Sequence, residues 1–279
     1  GSSLAILRTH ESKVTPGALI ASLAIPWGFD KGDNDLGGYH LIWPRDMVEA
    51  AGGLLAAGAP EDMRRLLGFL QNTQYPDGHW PQNMWVDGSP YWHGIQMDEV
   101  ALPVLLVDPA RREQALSEAA TSGLWPMVRE AAGYLVRNGP VSSQDRWEED
   151  PGYTPFTVAA EIAALLAAAD LADLHHETAI AVYLRETADV WNDCIDRWMY
   201  ASGNDWCRRV NVQGYYVRIT TGRGADRSGF HRRVEVKNVP AERDTLTEGH
   251  LVSPDALALV RFGLRAADDP RMIDTATVI

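Results

Sequence analysis

Apolar residues recur at helical spacing along most of this chain, with polar residues between them. "RDMVEAAGGLLAAGA" (45–59) and "PEDMRRLLGFLQNTQ" (60–74) predict a helical hairpin. Pro60 opens its second arm, at a position that needs no backbone donor. One or two helices follow over 98–119, another over 124–139 that ends at a glycine, and a pair over 155–176 and 177–201. Ser253 and Pro254 read as the cap and first residue of a last helix over 253–267. The main β-like stretch is "GYYVRITT" (214–221), so about 203–252 reads as a loop or β-containing excursion on a helical body. Residues 155–174 are apolar on every face, which a helix tolerates only inside a larger assembly. The body therefore needs inner and outer helices.

The pattern also repeats. Asp46, Asp98 and Asp150 are spaced by 52 residues, each at or just before the start of an apolar helix, and Asp255 falls near the fourth such step after Asp46. Two helices and their connections fill one step. A ring of helical hairpins follows, with inner helices running one way and their N-terminal ends converging on one face. The segments at those ends are "GGYHLIWPRD", "YWHGIQMDE" and "RWEEDPGYT". They predict one polar, aromatic-lined pocket.

Composition narrows what could enter it. With 279 residues, 46% of them hydrophobic, the chain can bury a large core. Its net charge of −13 and lack of any basic run disfavour nucleic acid, anionic membranes and large anionic substrates. Neutral or cationic ligands fit better. No apolar run is read as membrane-spanning, and the N-terminus lacks the pattern of a secretory leader. Cys194 and Cys207 match no zinc spacing and are left as one disulfide or two thiols. Of ten tryptophans, Trp43, Trp80, Trp85, Trp92 and Trp147 sit in Gly/Pro/Asp-rich segments between helices, where indoles can stack on sugars.

Glu148 and Glu149 adjoin Trp147 and precede a Pro-Gly turn. Their ordinary role would be to cap the following helix, whose dipole favours acidic residues at its start. Their chemical role would be a general acid beside a substrate-binding carboxylate. Mutual repulsion and the apolar indole favour a retained proton, while the helix dipole opposes it. In "WPRD", Arg45 offers a fork of donors and Asp46 acceptors, enough to hold two hydroxyls of a sugar ring; a local ion pair and cap is the commoner use. Tyr39 and Trp43 could wall that ring or simply pack. Trp92 could stack on substrate with Asp98 orienting a hydroxyl or a neighbouring side chain, and Asp98 could equally be an N-cap. The aromatic segment 75–92 reads as a pocket rim. His175 and His176 are adjacent, so a helix turns them apart, and HExxH, GxSxG, GxGxxG and phosphate-loop motifs are absent. "KGDNDLGG" (31–38) alternates acidic and amide side chains like a calcium loop without its closing glutamate, so a polar turn is expected, with structural calcium as the alternative.

These segments together resemble the bacterial glucoamylase and glucodextranase family of inverting exo-glucosidases, glycoside hydrolase family 15 type. The carriers are "GGYHLIWPRDMVEAAGGLLAAGA", "DGHWPQNMWVDGSPYWHGIQMDE" and "RWEEDPGYTPFTVAAEIAAL", and the likeness runs from about residue 7 to 279. It implies an all-α (α/α)6 barrel that removes glucose from non-reducing ends of α-glucans, through α-1,4 or α-1,6 links, without an organic cofactor. It implies that Glu148 is the general acid, that Glu149 binds the adjoining sugar, and that Tyr39, Trp43, Arg45 and Asp46 form the terminal glucose pocket. Trp92 is then substrate-contacting and Asp98 supporting. The resemblance also implies a secreted or periplasmic location. An inverting enzyme also needs a base about 6.5–9.5 Å from its acid. The family's base lies in the second half of the barrel, beyond Ile279, and Glu248 is a poor replacement. Residues 1–279 are accordingly expected to be a partial catalytic domain, partnered by the remainder of that domain. Two other readings stand beside this one. A non-catalytic glucan-binding protein would bind without turnover. A helical toroid for prenyl or terpene chemistry would need clustered aspartates and Mg²⁺, which "DRWEEDPG" does not resemble.

Overall fold

The computed structural model describes residues 1–23, 38–221, 231–234, 236 and 246–279. The 31–38 turn, apart from Gly38, lies outside the described residues, and with it the calcium alternative. The described chain is mainly helical and divides into two compact units.

The first unit comprises Gly1–Ile95, Glu99–Tyr134 and Asp170–Thr178. It opens with α1 (Ser2–His10), which buries none of its residues and which the hydrophobic pattern does not announce. The expected hairpin forms as α2 (Pro44–Ala56) and α3 (Pro60–Thr73), each with proline in its first turn. Their apolar positions, among them Met47, Leu54, Met63, Leu66 and Leu70, are buried where the two helices pack together. The aromatic segment 75–92 carries a short antiparallel pair, β1 (Asn83–Met84) and β2 (Pro90–Trp92). Trp80 is fully buried and donates its indole N–H to the Leu70 carbonyl of α3 at 2.9 Å, which makes it a structural anchor. Helix α4 (Met97–Arg112) follows, then α5 (Glu118–Asn138), which begins six residues before the expected 124.

One glycine decides how closely the rim segment approaches α5. Gly78 has φ +105°, and a Cβ there would overlap the Glu130 carbonyl. At Gly58, φ is +74° but a Cβ would meet open space. We expect Gly58→Ala to lose about 1–2 kcal/mol from backbone strain alone. Gly78→Ala should lose more, by at least about 1 kcal/mol of overpacking. Paired urea denaturation curves check the difference. Equal losses would show that the rim does not depend on this approach.

The second unit comprises Gln96–Asp98, Leu135–Ala169 and Ala179–Ile279. Its long helices are α6 (Pro155–Leu174), whose last turn belongs to the first unit, and α7 (Thr178–Met199). By length and composition α6 could cross a membrane, contrary to the expectation that no run approaches that length. Most of it is buried inside the protein, as an inner helix requires. β3 (Tyr200–Ser202) pairs antiparallel with β4 (Gly214–Tyr216), around α8 (Asp205–Val210). Tyr215, Val217, Ala201 and Cys207 form a small core there. Cys194 and Cys207 are both free thiols.

The helix expected over 253–267 is broken. Pro254–Leu257 is a 3-10 turn with Ser253 as its cap, and α9 (Ala258–Arg261) is a single turn. The stop is Gly263, at φ +79°, whose N–H bonds the Val260 carbonyl at 3.0 Å. The chain resumes as α10 (Pro270–Val278), capped by Asp269 and packed on β4.

Candidate active site

In the first unit the residues expected to form the sugar pocket lie on two adjacent segments. Ile42 and Met84 exchange backbone hydrogen bonds of 2.8 and 2.9 Å, which holds the approach to α2 against the aromatic rim. Tyr39 and Trp43 lie on that approach with ring centroids 6.3 Å apart and planes tilted by 46°. Trp43 is buried, whereas Tyr39 is 40% exposed, so Tyr39 is the ring available to a ligand. Arg45 and Asp46 occupy the first turn of α2. The Arg45 guanidinium lies 3.5 Å from Glu99 Oε1, and Glu99 is fully buried. The pairing steadies a fork of donors at the helix start. Trp92 closes β2, 43% exposed, with its backbone N–H on the buried Asn83 side chain at 2.9 Å and its ring 5.4 Å from Tyr91.

The second unit holds Asp98, Glu148 and Glu149. Residues 145–150 form a turn closed on Asp145: Glu148 N–H donates to the Asp145 carbonyl and Glu149 N–H to Asp145 Oδ1, each at 2.9 Å. A bridge between Ser142 and Gly152 secures the base of the turn, and Tyr153 pairs with Thr220. Glu148 sits in this turn at φ +62°. An L-residue other than Asn or Asp rarely adopts that conformation, and such strain collects where a side chain must be aimed.

The two adjacent carboxylates separate in role. Glu149, its side chain 7% exposed, forms an ion pair with Arg218, whose guanidinium also lies 3.1 Å from Asp145. Arg218 and Asp145 are themselves buried. Burial pushes the Asp145 carboxyl above the usual aspartate range; the Glu149 charge adds to this, while the Glu149 N–H and Arg218 oppose it. Trp147 stands exposed beside Glu148, and its indole N–H donates to Asp255 Oδ2 at 2.8 Å. Arg146 pairs with the same aspartate at 3.1 Å and covers the Phe156 ring. Neither glutamate caps α6. Thr154 takes that part, accepting from the Thr157 N–H at 3.3 Å. Asp98, in the first turn of α4, is fully buried, with the Thr157 hydroxyl 3.4 Å from its Oδ1. It supports other groups more readily than it meets solvent.

Glu248, already read as a poor base, is an anchor. It is buried and accepts from Thr221 N–H and Arg232 Nε, both at 2.9 Å. Among the described residues no cluster of His, Cys, Asp and Glu could hold a metal ion. Sequence reasoning missed Glu99 as the partner of Arg45, Arg218 as that of Glu149 and Asp255 as that of Trp147. Asp145 lay inside the quoted motif and could have been found there; Arg218 had no local signal.

Residues 77–279 match the profile of glycosyl hydrolases family 15. The glucoamylase of Clostridium sp. (strain G0005) is 36% identical over 277 residues, which is 99% of this chain and 37% of that protein. The crystal structure of a bacterial glucoamylase complexed with acarbose superposes with a TM-score of 0.85 at 35% identity, over 99% of this chain and 38% of that one. The glucoamylase from Saccharomycopsis fibuligera shares the fold at 19% identity, with a TM-score of 0.56 over 69% of this chain and 46% of its own. The chain thus spans under two-fifths of the length of the bacterial relatives. The likeness assigns the (α/α)6-barrel fold class that the ring of hairpins predicts.

Proposed function

The chain belongs to glycosyl hydrolases family 15, and from that premise we propose that it carries the acid-bearing part of an α-glucan exo-hydrolase. The single observation behind this reading is the 145–150 turn. It places Glu148 in a left-handed conformation beside an exposed tryptophan and directs Glu149 into a buried ion pair. The turn thus separates the two carboxyls: Glu149 stiffens the loop through Arg218, and the strained Glu148 is assigned to the substrate. The 36% identity to a glucoamylase across this whole chain supports the substrate class.

In the proposed reaction Glu148 gives its proton to the glycosidic oxygen as the bond to the anomeric carbon breaks. Water attacks that carbon from the opposite face and loses its proton to a base, so an α-linked glucose leaves as the β-anomer. We assign the base to the part of the relatives' length that this chain does not span. Tyr39 and Trp92 provide stacking faces, Trp43 backs the pocket, Arg45 and Asp46 hold hydroxyls of the terminal glucose, and Asp98 supports. Glu149 acts beside the adjoining sugar through its hold on Arg218. The chemistry is acid–base throughout and calls for no organic cofactor.

The test is glucose release from maltotriose and isomaltotriose, with the anomer followed by NMR. It is run on this polypeptide and on one extended to the length of its bacterial relatives. β-Glucose from the extended protein supports the reading. Release by residues 1–279 alone would place the base within them. Binding without release by either would favour a glucan-binding role instead.

A further inference from the structure

One carboxyl group in the second unit has no part in the chemistry above. Glu161, in the second turn of α6, is fully buried, and neither of its side-chain oxygens has a hydrogen-bond partner among the described residues. The backbone of Gly139 closes on it so tightly that a Cβ there would overlap Glu161 Oε1 and the Trp191 ring. Neither neighbour carries charge. Thr157 lies one helical turn before Glu161 on the same face of α6, and its hydroxyl reaches Asp98 of α4. Asp98 is therefore the titratable neighbour, and its charge acts on Glu161.

We propose that Glu161 is a positioning residue for Asp98: it enters the fold as the neutral acid, and its O–H is directed to the Asp98 carboxylate, straight or through one buried water. An ionised Glu161 would put a second negative charge near Asp98 in a dry site, which such a site does not tolerate. Burial first, and the Asp98 charge second, raise the proton affinity of Glu161 well above that of an ordinary glutamate. One proton held between two carboxyls then locks the first turn of α4 to α6. The inference rests on the reading that Asp98 supports the sugar site, but the proton can be observed without any sugar.

Infrared spectra at pH 7 make the test. Wild type should show the carbonyl band of a protonated carboxyl group. In the difference spectrum against wild type, where bands of other carboxyls cancel, Glu161→Gln should lack it, and Asp98→Asn should keep it at a shifted frequency. If Glu161→Gln does not fold, 13C-labelled glutamate in a Glu148→Gln background assigns the band, because aspartate bands do not move and Glu148 is absent. The second readout is maltotriose affinity. Glu161→Gln retains a donor and should bind close to wild type, whereas Glu161→Met should bind about tenfold to a hundredfold more weakly. No protonated-carboxyl band in the difference between wild type and Glu161→Gln, or a difference band indifferent to Asp98→Asn, overturns the pairing. Equal affinity for the Gln and Met variants overturns the positioning role. A protein that shows the band but binds no glucan overturns the functional reading and leaves the proton pair standing.

Discussion

In the polypeptide extended to the length of its bacterial relatives, the proposed acid role predicts that Glu148→Gln lowers glucose release by about 10²–10⁴-fold, the usual contribution of a positioned general acid, and leaves the fold intact. The amide keeps the shape of the carboxyl but has no proton to give to a leaving oxygen. Glu148→Gly should lose activity to at least the same extent and yet be the more stable protein. At φ +62° the glutamate bears a left-handed strain of about 1–2 kcal/mol. Glycine removes that strain and adds about 0.5–1 kcal/mol of unfolded-state entropy, so the net gain is up to about 1.5 kcal/mol. Steady-state kinetics on maltotriose and thermal melts of both variants separate the two effects. A glutamine variant within tenfold of wild type would mean that the proton comes from elsewhere. A glycine variant that melts lower would mean that the turn does not impose the strain.

Arg218→Met carries the largest expected effect on stability. The guanidinium is the shared partner of Glu149 and Asp145, and all three side chains are less than 10% exposed. Removing one member of a buried ionic group leaves uncompensated charge and costs about 3–5 kcal/mol. The loss should depend on pH. Asp145 already has a raised carboxyl affinity in the folded protein, with burial as the main cause. The folded chain then binds a proton that the unfolded chain releases, so stability falls as pH rises from the ordinary aspartate range through the raised one. Without Arg218 that range extends upward. The gap between wild type and variant should therefore be smallest in acid and widest near neutrality, as read by urea denaturation at several pH values. Adding Asp145→Asn should recover part of the loss. A gap that does not change with pH would show that Arg218 serves by packing and not by charge.

Both variants bear on how far the chain could be read without its fold. The hairpin of α2 and α3, the inner helix α6 and its successor α7 form within a few residues of where the apolar spacing places them. The motifs WPRD and RWEE mark the starts of the right segments, because helix propensity, proline at the first turn and hydrophobic period act within a few residues of each other. The last predicted helix failed on a local signal that was present but unread, a glycine ten residues after the cap.

What could not be read is which charge meets which. Glu148 and Glu149 are chemically identical neighbours, and nothing local says that one takes a left-handed backbone while the other's side chain enters a buried ion pair. That division depends on Arg218, which is 69 residues from Glu149. The orientation of Trp147 depends on Asp255, 108 residues away. Asp98 is brought to the face of α6 that carries Glu161 by its contact with Thr157, 59 residues away, and neither acid carries a local signal of the other. The sequence by itself determined the helices, their approximate ends and the residue types brought to each. The tertiary structure decided the partners, and with them the protonation and strain, because burial and ion pairing depend on distance in space while periodicity depends on distance along the chain.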